Sequence, residues 1–284
     1  MGGVDLHLHS QASDGECPPG DIPRRARAAG LDVIALTDHD TLAGVAAASR
    51  AGDEVGVTVI AGCEFSVAAD WGEMHLLAYY LPTGHAELDA FLERQRGERA
   101  ARGREIVRRL HGLGLEVTDL DVRAAAGTGA VGRPHVARAM VALALVRDVQ
   151  DAFDRYLATG RPAYVPKRLP ALAPVVELVR SAGGVTSAAH LNQRADPQSL
   201  ETLKQAGVDA VEVVHPAHDS QARRRIEQHA GRAGLLVSGG SDWHGESRVD
   251  QNRAGLGAVT VPAAWEEALR AVHQARMAGT EVGR

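Results

Sequence analysis

The sequence predicts an α/β fold, a set of βα units around a parallel sheet or barrel, interrupted by a helical insertion. Three observations predict it. Short apolar runs alternate with helix-length stretches at both ends of the 284-residue chain, the pattern of βα units. The middle of the chain loses this strand rhythm and turns helical. Nearly every apolar run also terminates in histidine or a carboxylate, the position where barrels and open parallel sheets carry their chemistry.

The first run, VDLHLHS at 4–10, alternates between faces: Val4, Leu6 and Leu8 share one, and Asp5, His7 and His9 the other. LDVIALTDHD follows the helical RRARAAG and ends at Asp38 and His39. VTVIAGCEFS leads to Glu64. HLLAYYL comes next and is opened rather than closed by its histidine, His75, which a turn after Glu64 would return to the same end. From about Ala86 to Lys167 the sequence is rich in Arg, Ala, Leu and Glu at helical spacing. ELDAFLERQRGERAARGREIVRRLHGLG reads as one long helix stopped by Gly112 and Gly114, and only the short AYVP reads as a strand. The rhythm resumes with GGVTSAAH, DAVEVVHP, GLLVSGGSDWHG and LGAVTVP. The first three of these end at His190, at His215, and at Asp242 with His244. The expected domains are therefore a barrel domain over 1–90 and 168–284 and a helical insertion domain over 91–167.

Bulk properties exclude several classes. A net charge of −5 announces neither a general nucleic-acid surface nor a membrane-binding face. No apolar run approaches the roughly 18–20 residues of a membrane span, and the N-terminus lacks the basic-then-apolar layout of a signal peptide. The two cysteines, Cys17 and Cys63, form no CxxC motif; reduced thiols in a cytoplasmic protein are expected, Cys63 in the core and Cys17 in a loop. No obligate protein partner is implied. GTGAVG at 127–132 satisfies GxGxxG literally, but the preceding DLDVRAAA reads as helix or turn rather than strand, so the glycines are expected to join two helices.

The distribution of the 13 histidines is the chemical signal. Neutral imidazole and carboxylate are ligands for Zn, Mn or Fe, and strand ends would bring His7, His9, Asp38, His39, Glu64, His75, His190, His215, Asp242 and His244 together, with Asp14 added by the loop after the first strand. One ion uses about four protein ligands, so this set suggests two or three. Such a cluster favours hydrolysis of phosphate esters, with a hydroxide held between ions as nucleophile.

DLHLHS, the SDG at 13–15, LTDHDT at 36–41, GCE at 62–64, His75, the AAH ending at His190 and GGSDWHG at 239–245 together resemble the motif set of the PHP (polymerase and histidinol phosphatase) family, in that family's order and across almost the whole chain. The resemblance implies a distorted barrel of about seven βα units with a trinuclear metal centre, Mn favoured. It implies one ion on His7, His9, Glu64 and Asp242, a second bridged by Glu64 and held by His75 and His190, and a third on Asp14, His39 and His244. His215 is not required by the family pattern, and Asp38 is expected to orient ligands. Asp242, His244 and His190 are the expected catalytic members.

The helical insertion, GRPHVARAM, AYVPK and the HPAH segment look most like the branch containing nucleoside 3',5'-bisphosphate phosphatases and 5'-3' exoribonucleases acting on short RNA. The implied substrate is a phosphorylated nucleotide or short oligonucleotide. Pro134 suits the first turn of a helix whose free amides, with Arg133, would bind an anion. Arg133, His135 and Lys167 are the expected phosphate grip, Arg99 or Arg102 assisting, and His218 a substrate contact. His190 is followed by Leu where the family commonly has Pro, and His215-Pro216 replaces a more usual Tyr- or Ser-containing pair. The alternatives are a histidinol-phosphate-type phosphatase, a noncatalytic metal-binding scaffold, and a C–N hydrolase of the metallo-amidohydrolase type.

Overall fold

The computed structural model describes residues 2–127, 129–248 and 254–282. Seven strands form one sheet in chain order: β1 (Gly3–Leu8), β2 (Leu31–Leu36), β3 (Thr58–Ala69), β4 (Gly72–Tyr79), β5 (Val185–Ala188), β6 (Ala210–Val214) and β7 (Leu236–Gly239). β1, β2 and β3 are parallel, as are β5, β6 and β7, while β4 runs antiparallel to both neighbours. The fold is thus a mixed α/β sheet rather than an unbroken series of βα units. The reason is local: only Asp70 and Trp71 separate β3 from β4, and a link that short can form a hairpin but not a crossover.

The two sheet edges approach each other without a continuous ladder. Past β7, Trp243 bridges Leu8, its carbonyl accepting from the His9 amide at 2.9 Å, and the Ser241 amide donates to Asp5 Oδ1 at 3.0 Å.

Helices cover the sheet: α1 (Ile22–Ala28), α2 (Val45–Val55), α7 (Leu172–Ser181), α8 (Pro197–Gln205), α9 (Ser220–Ala233) and α10 (Ala263–Val282). Between β4 and α7 come α3 (Ala86–Gly112), α4 (Asp119–Ala126), α5 (Arg133–Ala142) and α6 (Val149–Ala152), the last continuing as a π turn over Phe153–Leu157. The first turns of α3 pack Leu88, Phe91 and Leu92 into the core beneath the sheet. Its later residues Ile106, Val107 and Leu110 join a separate apolar cluster with Val122, Val136 and Met140. Cys17 and Cys63 are both buried and unpaired.

Two expected strands are absent. AYVP has no ladder because side chains of α3 take its carbonyls: Arg102 Nε donates to the Val165 oxygen at 2.7 Å and Arg109 to that of Tyr164. In LGAVTVP, Leu256–Ala258 form a turn with Gly257 at φ +78°, and only Val261 makes a bridge, to Val4. GTGAVG does join two helices, α4 and α5, with Thr128 outside the described residues.

Candidate metal centre

Parallel pairing lines up the carboxyl ends of the strands, and the chain turns away just beyond them carrying polar residues. His7 lies inside β1 and His9 just past it; His39 follows β2, His190 follows β5, His215 directly follows β6, and Asp242 and His244 follow β7. Glu64 differs from expectation, standing in the middle of the 12-residue β3. β2 pairs with β3 only as far as Leu36 with Ala61, so Glu64 still rises past the end of β2, where it bridges His39. The hairpin reverses β4 and brings His75, opposite Ser66, to the same end.

Glu64 is the hub. Its Oε2 lies 3.1 Å from His9 Nε2 and 3.3 Å from His39 Nδ1, and its Oε1 lies 2.7 Å from His75 Nδ1 and 3.2 Å from His190 Nε2. Asp242 Oδ1 is 3.3 Å from Nε2 of both His7 and His9. Asp14 Oδ1 is 3.3 Å from His244 Nε2, and the His244 ring stacks on His9 with centroids 4.1 Å apart. Four groups of side chains present ligand atoms within 4.8 Å of one another: His7, His9, Glu64 and Asp242; His9, Asp14, His39 and His244; His39, Glu64 and His75; and His7, Glu212 and His215.

These side chains fit divalent ions. His9 Nε2, Asp14 Oδ1, His39 Nδ1 and His244 Nε2 are buried and lack a hydrogen-bond partner, one atom from each member of the second group. Buried polar atoms are ordinarily satisfied, and a cation would satisfy these four, whose neighbours in the protein include one another and Glu64 at ion-pair distance.

Electrostatics agree with a site built for positive charge. Burial alone would push Glu64, Asp14 and Asp242 up, but surrounding imidazoles hold all three carboxyls well below their usual range. Burial opposes charge on His9 too, yet Asp242 and Glu64 raise its ring to about 9, and Glu64 raises His75 to about 8. His39 goes the other way: burial outweighs Glu64 and Asp14 and keeps its ring well below the usual imidazole value.

The Asp38 carbonyl accepts from the Glu64 amide at 3.2 Å, while its carboxylate serves the neighbouring loop. It accepts from the Ser10 amide at 2.8 Å, from Ser10 Oγ at 2.6 Å and from Ser13 Oγ at 2.6 Å, pinning the loop that carries Asp14.

The expected substrate contacts divide. Arg133 lines a cavity of about 340 Å³ together with His75, His190, Trp71 and Arg194, its guanidinium stacked 5.6 Å from the Phe153 and Tyr164 ring centres. Arg99, Arg102 and Lys167 line a neighbouring pocket with Asp40 and Ser66. There Arg99 Nε pairs with Asp40 Oδ2 at 2.5 Å, while Lys167 donates to Ser66 Oγ at 2.9 Å and pairs with Glu73. Burial beside Arg133 lowers Arg102 to about 10.

His135 and His218 are corrections. His135 Nδ1 accepts from the Gly132 amide at 2.9 Å and its ring also bonds the Ser13 backbone. His218 Nδ1 donates to the Val213 carbonyl at 2.9 Å, and its Nε2 accepts from the Asn192 amide at 3.1 Å. Both rings are buried backbone ties; in His218 both nitrogens are engaged and none is left for a phosphate.

Glu212 was missed. It is fully buried on β6, with Oε1 2.9 Å from His7 Nδ1 and Oε2 accepting from the His190 amide at 2.7 Å. A lone carboxylate inside the apolar run AVEVV was its available signal. Arg194, on the cavity wall, was missed as well.

Comparison with known proteins places this geometry among relatives. A family model described as PHP domain matches residues 5–158. The chain is 32% identical over 245 residues to a 5'-3' exoribonuclease of Haemophilus influenzae, covering 84% of this chain and 89% of that one. It is 31% identical over 252 residues to a 3',5'-nucleoside bisphosphate phosphatase of Chromobacterium violaceum, covering 86% and 88%. Among solved structures, one named as a metal-dependent phosphoesterase, from Bifidobacterium adolescentis, superposes with a TM-score of 0.88 at 30% identity over 96% of each chain.

Proposed function

The chain belongs to the PHP domain family, and from that premise we propose that it is a metal-dependent phosphoesterase acting on nucleotides, removing the 3'-phosphate of nucleoside 3',5'-bisphosphates or cutting short RNA from its 5' end. The observation that carries this reading is the group of buried ligand atoms on His9, Asp14, His39 and His244 within 4.8 Å of one another, four of which make no hydrogen bond, beside a cavity walled by Arg133 and Arg194.

In this reading two or three divalent ions, Mn favoured, are held by His7, His9, Glu64 and Asp242, by Glu64 with His75 and His190, and by Asp14, His39 and His244. Bound there, they would supply an acidified water and a sink for charge on the phosphoryl oxygens. The protein does the rest. Glu64 and Asp242 hold the imidazoles in register, and Asp38 fixes the Ser10–Asp14 loop. Arg133 and Arg194 grip a second phosphate while Trp71 offers an apolar wall to the nucleoside. A bisphosphate suits this arrangement because one phosphate reaches the ligand bowl while the other remains beside the arginines.

Residues 91–167 act as a helical insertion domain between the barrel segments 1–90 and 168–284, a reading supported by their own apolar cluster and by Arg133, which they bring to the cavity. No helix among the described residues is long and apolar enough to cross a membrane. A cytoplasmic location is part of the same reading, supported by two unpaired buried thiols.

The test is a panel of nucleoside 3',5'-bisphosphate, 5'-monophosphate, 5'-phosphorylated short RNA, histidinol phosphate and a cyclic amide, run with added Mn and with Asp242→Asn as control. Turnover of the bisphosphate or the RNA, lost in Asp242→Asn, is expected. Turnover of histidinol phosphate or the amide alone, or full activity in Asp242→Asn, would sink the proposal.

A further inference from the structure

We propose that β6 is the orienting strand of the metal centre: Glu212 and His215 supply no ligand themselves but set the ring state of His7, the backbone of His190 and the direction of Asp242. The inference rests on the metal-centre reading above.

Glu212 divides its two oxygens between two neighbours that both carry proposed ligands. Oε1 meets His7 Nδ1 at 2.9 Å. An ionised carboxylate only accepts, so the His7 proton sits on Nδ1 and the Nε2 lone pair is left facing Glu64 and Asp242. Oε2 accepts from the His190 amide at 2.7 Å. That backbone needs holding, because His190 has φ +35°, a left-handed conformation that costs a residue with a Cβ. One carboxylate therefore fixes two corners of the bowl.

His215 works on a third. The Ala217 amide donates to His215 Nδ1 at 3.1 Å, so the neutral ring carries its proton on Nε2. That nitrogen is buried, has no hydrogen-bond partner, and lies 3.6 Å from Asp242 Oδ2. Asp242 Oδ1 faces His7 and His9, so attraction from His215 on Oδ2 turns the other oxygen toward the bowl. Asp242 also has a left-handed backbone, φ +50°. The trio His7, Glu212 and His215 is close enough to hold an ion of its own. Glu212, however, already spends both oxygens, and the His215 proton points the wrong way for a ligand.

A carboxamide cannot accept on both sides. In Glu212→Gln, either the His7 contact or the His190 contact is lost. We expect Mn²⁺ affinity, measured by isothermal titration calorimetry on the full chain, to fall by about 10–100-fold. NMR should show either His7 losing its Nδ1-protonated state or the His190 amide losing its hydrogen-bonded shift, signatures that a merely structural role would not move. His215→Phe keeps a buried ring without the N–H and should weaken Mn²⁺ binding by roughly 10-fold, the low end of the same range. Wild-type affinity in both variants, His7 and the His190 amide both unchanged in Glu212→Gln, or one further ion bound by wild type and lost in both would overturn the proposal. If Glu212→Gln shows no cooperative melt, His215→Phe alone decides. Wild type that binds no Mn²⁺ overturns the metal reading itself, whereas a wild-type site indifferent to both variants overturns only the role of β6.

Discussion

His75 Nδ1 lies 2.7 Å from Glu64 Oε1 although the two residues are not paired across the hairpin: Glu64 stands opposite Leu77, and His75 opposite Ser66. The contact is a diagonal one, between side chains on the same face of neighbouring strands, within reach of long side chains. It leaves the other oxygen, Oε2, free to meet His9 and His39. A single carboxylate thereby spans two groups of ligand atoms. Glu64→Gln is expected to lower turnover on the order of 100-fold or more, since in the proposed centre Glu64 would bridge two ions rather than support one. Metal analysis of the purified variant should find fewer ions per chain; wild-type metal content with full activity would remove Glu64 from the centre.

Metal removal and pH should act together. His9 and His75 have folded-state values of about 9 and about 8 against an ordinary 6.5. In the metal-free protein their stabilisation is therefore fully present below about 6.5 and lost as pH rises through 8 and then 9. Metal binding has the opposite sign, because the same protons must leave first. At a fixed Mn²⁺ concentration the gain in Tm is thus expected to grow between pH 6.5 and 9 as the Kd falls; where that concentration equals 100 times the Kd, the stabilisation is about 2.7 kcal/mol. Melting curves with and without chelator across that range check this, and a metal-induced gain that shrinks with rising pH would contradict it.

Arg99 is expected to behave as a structural residue before it behaves as a substrate contact. Its guanidinium pairs with Asp40, which is 2% exposed. Arg99→Ala strands that carboxylate, a loss of about 3–5 kcal/mol, and Asp40→Asn in the same chain should recover much of it. Urea unfolding of the two variants measures both effects.

Gly129 sits where α4 passes to α5, against the loop that holds Asp14. A Cβ there would lie 2.6 Å from the Ser13 carbonyl oxygen and 2.7 Å from that of Gln11. Gly129→Ala should therefore cost about 1–3 kcal/mol by overpacking and weaken metal binding through the displaced loop. A variant as stable as wild type with unchanged Mn²⁺ affinity would show that the helical segment and this loop move independently.

The ends of the strands were legible because backbone geometry is local. A period of two puts His7 and His9 on one face, and an apolar run that closes in His or Asp marks where a strand leaves the sheet. The return of His75 to the same end was legible too, but its antiparallel strand was not: β3 runs past Glu64 to Ala69 before the chain turns back. Chain pattern misled where other side chains compete for the backbone: AYVP has strand composition, but Arg102 and Arg109 take its carbonyls. His135 and His218 looked like ligand-binding residues until their ring nitrogens met the backbone of Gly132, Asn192 and Val213.

By itself the sequence determined the α/β order of elements, the family, and the carboxyl-end placement of the histidines and carboxylates other than Glu64, which stands inside β3. Tertiary structure alone decided what each of those groups faces. Glu212 reaches His7 across 205 residues of chain and His190 across 22, and no local period encodes either distance. Such pairings are set by how strands stack side by side, which depends on the packing of the whole core rather than on any run of residues within it.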